Sequence, residues 1–213
     1  MKTRKKLLLL ALVGFPVVPA FSEGQVPSTN SVTSPFTGIY VGARAGINDS
    51  TFGNGNPSAL AGGATNLIPS QQNYGTAMGL EAGYAWGLGP TVLGLDAYYG
   101  LNTNGRSGYV SGIQPYGSRD YGLALKFGYP LTSTLMPYAR LGYGHLTGTL
   151  SAAGLSGDTA NGGLGIEYLF APHWSVSAEW NAMSIANNAN TMNNNTYTVG
   201  VNYYFGSTKS SAH

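Results

Sequence analysis

The sequence contains no cysteine, few charged residues and, beyond its first 22 residues, no apolar run long enough for a membrane-spanning helix. Charged residues make up 8% of the 213-residue chain, about a third of the usual ~25%. Soluble domains are rarely so poor in charge, and a chain this rich in apolar and aromatic residues is not disordered. The mean hydropathy of −0.04 is too low for a helical membrane protein. The remaining class consists of sheet proteins in which apolar residues alternate with small or polar ones along each strand, so that the mean hydropathy stays low.

Residues 1–22 are predicted to form a secretory signal peptide. Four of the first six residues are basic, an apolar run starts at Leu7, and small residues follow at Ala20 and Ser22. We expect cleavage after Ser22, with Ala20 as the alternative, and export through the periplasm, which the lack of cysteine fits. Cleavage leaves six basic against eight acidic residues, a net charge of about −2. The pI of 8.7 therefore comes mostly from the signal and does not predict a nucleic-acid partner.

A polar linker at residues 23–35 is expected to lie in the periplasm. Beyond it the chain alternates apolar and small or polar residues in stretches of about ten, the length that a tilted strand needs to cross a bilayer. Eight such stretches lie near residues 36–48, 75–86, 91–101, 119–129, 135–146, 159–170, 174–184 and 196–205. Long and short connections alternate between them, as they do in outer-membrane barrels. We predict an all-β fold, an eight-stranded antiparallel up-and-down transmembrane β-barrel over residues 36–205, followed by a tail at residues 206–213.

Charge falls on one face of these stretches. In GIYVGARAGI, residues 38–47, one face is apolar and the other carries Arg44 among glycines and a tyrosine. The same parity assigns seven charged residues to the inner face, a predicted lumen charge network: Arg44, Glu81, Asp96, Lys126, Arg140, Glu167 and Glu179. A lipid-facing charge would cost ~2–4 kcal/mol at the midplane, which explains why no charge falls mid-strand on the outer face. A soluble sandwich has no comparable reason for this exclusion and is disfavoured.

Glycines share the inner face with those charges. We interpret them as space for the large inward side chains rather than as a phosphate-binding loop, because none of them lies between a strand and an amphipathic helix. The interior of an eight-stranded barrel is filled by side chains, so its charges are expected to pair and to plug the lumen. The pairing itself cannot be read from the sequence.

Aromatic residues mark two predicted membrane interfaces. Those beside the short turns form a predicted membrane girdle: Tyr84, Trp86, Phe127, Tyr129, Tyr168, Phe170 and Trp174, with Tyr203 and Phe205 at the same level. Those near the long loops form the second: Tyr99, Tyr121, Trp180 and Tyr197. Both sets face outward by parity.

The stretches FTGIYVGARAG, MPYARLGYG, GGLGIEYLFAPHWSVSAEW and TVGVNYYF resemble strands of the small outer-membrane β-barrel surface proteins of Gram-negative bacteria, the porin-family or OmpA-like group. The resemblance covers residues 36–205 and implies a location in the cell outer membrane. It also implies a barrel-assembly signal at Thr198, Gly200, Tyr203 and Phe205. Family members usually end at the aromatic residue that corresponds to Phe205, whereas here a tail follows.

An enzymatic alternative is a lipid A-modifying barrel, which needs a nucleophile, a histidine and a carboxylate near the outer surface. Only His145 lies near the outer end of a stretch. Thr147 shares its face, but we find no serine two residues away and no outward carboxylate to orient the ring. The spacing of histidines and carboxylates offers no metal site. We therefore predict no enzyme, no cofactor and no metal.

The predicted function is envelope integrity or surface interaction by a non-enzymatic barrel, with a narrow passive, porin-like channel as a further alternative. The expected partners are outer-membrane lipid and lipopolysaccharide, the barrel-assembly machinery and an extracellular ligand of the long loops, with no nucleic acid. The asparagine-rich segment NNANTMNNNT, residues 187–196, is interpreted as one such hydrated loop.

Overall fold

The computed structural model describes residues 34–54, 71–104, 116–150, 156–186 and 190–205. Within them the chain forms one closed barrel of eight antiparallel strands, each hydrogen-bonded to its neighbours along the chain, with the last strand paired to the first. The strands are β1 (Gly38–Asn54), β2 (Gln71–Leu88), β3 (Thr91–Asn104), β4 (Tyr116–Gly128), β5 (Leu135–Leu150), β6 (Ser156–Ala171), β7 (Trp174–Ala186) and β8 (Asn190–Phe205). The predicted fold class is thus confirmed. No helix in these ranges could span a membrane.

The predicted signal peptide, most of the linker and the tail lie outside the described residues. The barrel has a short-turn end, where β2 and β3 are joined by residues 89–90 and β6 and β7 by residues 172–173, and a long-loop end at the opposite rim. Gly89 has φ of +64° in the first of these turns, a backbone conformation that glycine adopts without the strain of a Cβ.

Strands reach further toward the long-loop end than the alternation indicated. The interpretation of residues 187–196 as a loop is wrong for the part that is described. Asn190 to Thr196 belong to β8 and pair with β1, and Thr191 to Thr196 pair with β7 as well. Backbone pairing of β8 continues above the apolar band, since closure of the barrel gives this strand two neighbours, β1 and β7, there as well. Polar side chains in that region therefore do not identify a loop.

Side chains alternate between the two faces along every strand. On β1, Ile39, Val41 and Ile47 are exposed, whereas Tyr40 and Asn48 are buried. Many large aliphatic and aromatic side chains are exposed on the outer face, which suits contact with lipid. Three outward charged residues, Asp49, Arg119 and Asp158, fall within β1, β4 and β6, toward the long-loop ends of those strands.

The interior is layered. A buried apolar cluster of Phe36, Tyr40, Ala85, Val92, Met136 and Tyr204 fills the short-turn end. A second cluster of Leu146, Ile185 and Met192 lies at the long-loop end. Charged side chains occupy the space between, where buried asparagines and serines accompany them.

Candidate functional site: the barrel interior and the long-loop face

The charged layer draws one residue from each of seven strands. Arg44, Glu81, Asp96, Lys126, Arg140, Glu167 and Glu179 come from β1 to β7 in that order. Each stands at an inward position of its strand, so closure of the barrel brings together residues that lie far apart in the sequence. Five ion pairs connect those on β1, β2, β3, β5 and β7, and a sixth joins Lys126 to Glu167. We call these seven residues the charge network.

Arg140 lies at the centre of the charge network and is 2% exposed. Its guanidinium donates a short hydrogen bond to Asp96 and another to Glu179 Oε1 at 3.3 Å. Glu81 Oε2 lies 3.6 Å from Arg140 Nη2. The planar guanidinium fork has donors in several directions, which lets one cation neutralise three carboxylates contributed by different strands.

Arg44 shares two of those carboxylates. Its Nη1 lies 3.1 Å from Glu179 Oε1 and 3.6 Å from Glu81 Oε2. The ring of Tyr98 accompanies both arginines, with its centroid 5.0 Å from the guanidinium carbon of Arg140 and 6.0 Å from that of Arg44. Each glutamate is therefore held between two cations beside an aromatic face, which adds cation–π attraction to the ion pairs.

Lys126 and Glu167 form a separate pair nearer the short-turn end. Lys126 Nζ donates to Glu167 Oε2 at 2.7 Å, and the ring centroid of Tyr138 lies 4.3 Å from the same nitrogen. The other carboxylate oxygen of Glu167 accepts hydrogen bonds from Ser175, Asn202 and Tyr204. Glu167 is fully buried, so these four donors replace the water that its charge has lost.

Two tyrosines donate further hydrogen bonds to carboxylates of the layer. Tyr40 donates its hydroxyl hydrogen to Asp96 Oδ2 at 3.0 Å, and Tyr138 donates to Glu179 Oε2 at 2.9 Å. Both rings are buried, so they fill the interior with apolar area while their hydroxyls bond the carboxylates.

Asp120 is an inward charge that the sequence analysis missed. It is 6% exposed and lies above the charge network on β4, where Asn102 donates a hydrogen bond to it at 3.3 Å. Parity would have found it, because Asp120 is an even number of residues before the inward Lys126. It was missed because it stands near the long-loop end of the predicted stretch, and only mid-strand charges were assigned to a face.

Small residues make room for the large ones. A Cβ on Gly79 would lie 2.8 Å from Arg44 Nε, and a Cβ on Gly165 would enter the ring of Tyr138. Between the charge network and the long-loop end a pocket of about 30 Å³ remains, lined among others by Arg44, Asp120 and Asn194. That volume admits only about two water molecules.

The predicted girdle residues all lie on the outer face. Tyr84, Trp86, Phe127, Tyr129, Tyr168, Phe170 and Trp174 are exposed and lie beside the short turns. Of the predicted assembly signal, Thr198 and Gly200 face the lumen, whereas Tyr203 and Phe205 face outward. The rings of Tyr203 and Phe205 contact each other, with 4.8 Å between their centroids.

A polar cluster on the outer face corrects the sequence analysis of His145. Asp158 and Ser156 lie on the adjacent strand β6, with Asp158 directly opposite His145. His145 Nδ1 is 2.8 Å from Asp158 Oδ1, and Nε2 is 2.8 Å from Ser156 Oγ. An outward carboxylate and a serine are therefore both present. The prediction considered only neighbours within one strand, whereas these partners come from cross-strand register.

Comparison with known proteins identifies the family. The family model described as "Outer membrane protein beta-barrel domain" matches residues 7–205. Among solved structures, the chain is similar to Neisserial surface protein A, with 17% identity, a TM-score of 0.56, and coverage of 79% of this chain and 98% of that one.

The chain is also similar to two further solved structures. The attachment invasion locus protein Ail of Yersinia pestis is 15% identical, with a TM-score of 0.47 and coverage of 79% and 99%. OprG of Pseudomonas aeruginosa is 14% identical, with a TM-score of 0.44 and coverage of 79% and 98%. No curated protein matches the sequence. The chain belongs to the outer-membrane β-barrel family, which places it in the bacterial outer membrane.

Proposed function

We propose that this protein is a closed outer-membrane barrel that acts through its surface, in envelope integrity or surface interaction, rather than by passing solutes through its interior. The observation that carries the proposal is the set of six ion pairs across the lumen, three of which are made by the buried Arg140. Charges that neutralise each other across the interior occupy the path that a solute would need.

The size of the barrel supports the same proposal. Eight strands enclose an interior just wide enough for side chains, whereas aqueous channels belong to barrels of roughly sixteen strands. Apolar clusters at both ends of the charged layer reinforce the closure, with Phe36, Met136 and Tyr204 at one end and Leu146 and Met192 at the other. A solute would have to displace both clusters and several ion pairs.

Osmotic swelling tests closure. Proteoliposomes that contain the refolded full chain are diluted into an isotonic solution of arabinose, and the light scattering is followed. We expect the scattering to match that of protein-free liposomes, while a sixteen-stranded porin in parallel vesicles produces swelling. Arabinose-dependent swelling with the wild-type chain would contradict the proposal and restore a passive channel as its function.

A complementation experiment separates the two surface roles. A strain without the gene is tested for sensitivity to detergent and for attachment to host matrix, and is complemented with the full chain or with a chain shortened at residues 55–70 and 105–115. Restoration of detergent resistance by both chains supports a role in envelope integrity. Restoration of attachment by the full chain alone supports a surface partner, and no effect of either chain contradicts both roles.

A further inference from the structure

On the outer face, a serine, a histidine and an aspartate are joined by two hydrogen bonds, with the histidine between the other two. Ser156 Oγ lies 2.8 Å from His145 Nε2, and Asp158 Oδ1 lies 2.8 Å from His145 Nδ1. With Nδ1–H donated to the carboxylate, Nε2 is left to accept the serine proton. This is the arrangement of a nucleophile, its general base and the group that orients the base.

The three side chains are held by neighbouring backbones. His145 stands opposite Asp158 in the β5–β6 ladder, and Ser156 stands opposite Thr147. The hydroxyl of Thr147 lies 3.4 Å from Ser156 Oγ, and the ring of Tyr121 on β4 lies 5.6 Å from the imidazole. Side chains on paired strands are positioned more rigidly than side chains on loops, which favours a defined geometry.

The position of the cluster indicates its substrate. Tyr99, Tyr121, His145 and Asp158 stand opposite one another in successive strand pairs, so the cluster continues the row of outward aromatic residues near the long loops. Such aromatic rows lie at the boundary between headgroups and acyl chains. The ester carbonyls of membrane lipids lie at this same boundary. The side chain of His145 is 34% exposed and that of Asp158 is 62% exposed, so a lipid can approach them.

We propose that Ser156, His145 and Asp158 form a catalytic site for hydrolysis of acyl esters of outer-leaflet amphiphiles. Ser156 Oγ attacks the ester carbonyl carbon and its proton passes to His145 Nε2. The tetrahedral intermediate collapses, the C–O bond to the alcohol breaks, and His145 returns the proton to the leaving alcohol. Water then attacks the acyl-serine, again with His145 as base, and releases a carboxylic acid and the restored serine. Asp158 orients the imidazole throughout.

This inference goes beyond the proposed function, since it assigns a reaction to the outer surface and would overturn the expectation that the chain is not an enzyme. It does not depend on closure of the lumen. An enzyme on the lipid-facing wall requires only that the barrel be folded in a bilayer or micelle.

The experiment uses the refolded full chain in detergent micelles, with a fluorophosphonate probe and two ester substrates, phosphatidylethanolamine and lipopolysaccharide. We expect covalent labelling at Ser156 by peptide mass spectrometry and release of fatty acid from at least one substrate. Which substrate loses a chain identifies the lipid class. Absence of labelling together with absence of fatty acid release from both would overturn the proposal.

Variants test the assignment of each residue. Ser156→Ala and His145→Asn should lower fatty acid release at least about 100-fold, and Asp158→Asn should lower it by a smaller factor because that carboxylate is exposed. Ser184→Ala is the matched control, since Ser184 is an outward serine near the long-loop end that bonds Asn193 and not a histidine. Equal release by Ser156→Ala and wild type, both folded as shown by faster migration on a gel before boiling than after, would also overturn the proposal.

Discussion

The inner and outer faces of the barrel wall differ in how they accommodate polar groups. On the inner face, Glu167 is fully buried yet has four donors, and Arg140 meets three carboxylates. On the outer face, mid-strand positions such as Leu95 and Val199 are apolar, and charge is confined to the rim near the long loops. Charge is thus kept where partners are fixed or where water is near, and is absent where lipid offers neither.

A charge placed on the lipid face should have the largest effect, because it removes the difference between the two faces and lowers the fraction of folded barrel. Leu95 is outward in the apolar band of β3, so Leu95→Arg should cost up to ~2–4 kcal/mol, the value at the bilayer midplane, and leave much of the protein unassembled. Ala124→Ser, at a buried inward position of β4, should assemble normally because the interior already holds polar groups. The fraction that migrates faster on a gel before boiling than after measures the folded barrel. Equal assembly of the two variants would show that the faces are assigned wrongly.

Removing one partner of a buried pair should have the next largest effect. Lys126→Met leaves Glu167 without its cation, which should destabilise the barrel by ~3–5 kcal/mol, or less if lumen water reaches the carboxylate. The double variant Lys126→Met with Glu167→Gln should recover much of the loss, because a neutral amide oxygen still accepts hydrogen bonds from Ser175, Asn202 and Tyr204.

Urea titration in detergent, followed by tryptophan fluorescence, gives the free energy of unfolding for wild type and both variants. A single variant as stable as wild type would mean that the buried pair contributes nothing. A double variant less stable than the single would mean that the carboxylate charge is stabilised by its other donors alone.

Overfilling the interior tests how tightly it is packed. The Cβ of Gly165→Ala would enter the ring of Tyr138, so this substitution should cost ~1–3 kcal/mol in unfolding free energy. Gly162→Ala on the same strand is the matched control, since its Cβ would lie 3.6 Å from Leu141 Cδ2, an ordinary contact on the outer face. Equal stability of the two variants would indicate a looser interior than the structure describes.

Assembly at the last strand should show a smaller effect, on yield rather than on stability. Phe205→Ala removes an exposed terminal aromatic that contacts Tyr203 and should lower the folded yield in cells several-fold. Deletion of the tail after Gly206 should lower it less. The reverse order, measured by the gel shift of outer-membrane fractions, would mean that the assembly signal does not lie at Thr198, Gly200, Tyr203 and Phe205.

Much of the fold and of the inner face was predictable because strand parity is a local property. The alternation around Arg44 or Glu81 can be recognised from a few neighbouring residues. Because lipid disfavours charge on the outer face, a mid-strand charge must point inward. The same local rule applied to β4 would have included Asp120.

Pairing was not predictable, because it depends on register and closure. That Arg140 of β5 meets Asp96 of β3 follows from the diameter of the closed barrel and from side-chain length, neither of which appears in the sequence. The cluster of His145, Asp158 and Ser156 was missed for the same reason, since its members belong to different strands. The length of β8 was missed because a run of asparagines is typical of a hydrated loop, and nothing in the sequence distinguishes it from a strand that extends into water.

The measurement that tests the closed interior most directly is single-channel recording of the refolded wild-type chain in a planar lipid bilayer. The six ion pairs across the lumen predict little or no stable conductance. Arg140→Ala, which removes the central cation, should raise the conductance or destabilise the barrel, and the gel shift distinguishes these two outcomes. Large, steady currents from the wild-type monomer would contradict the account and show that the charge network lines a channel instead of closing one.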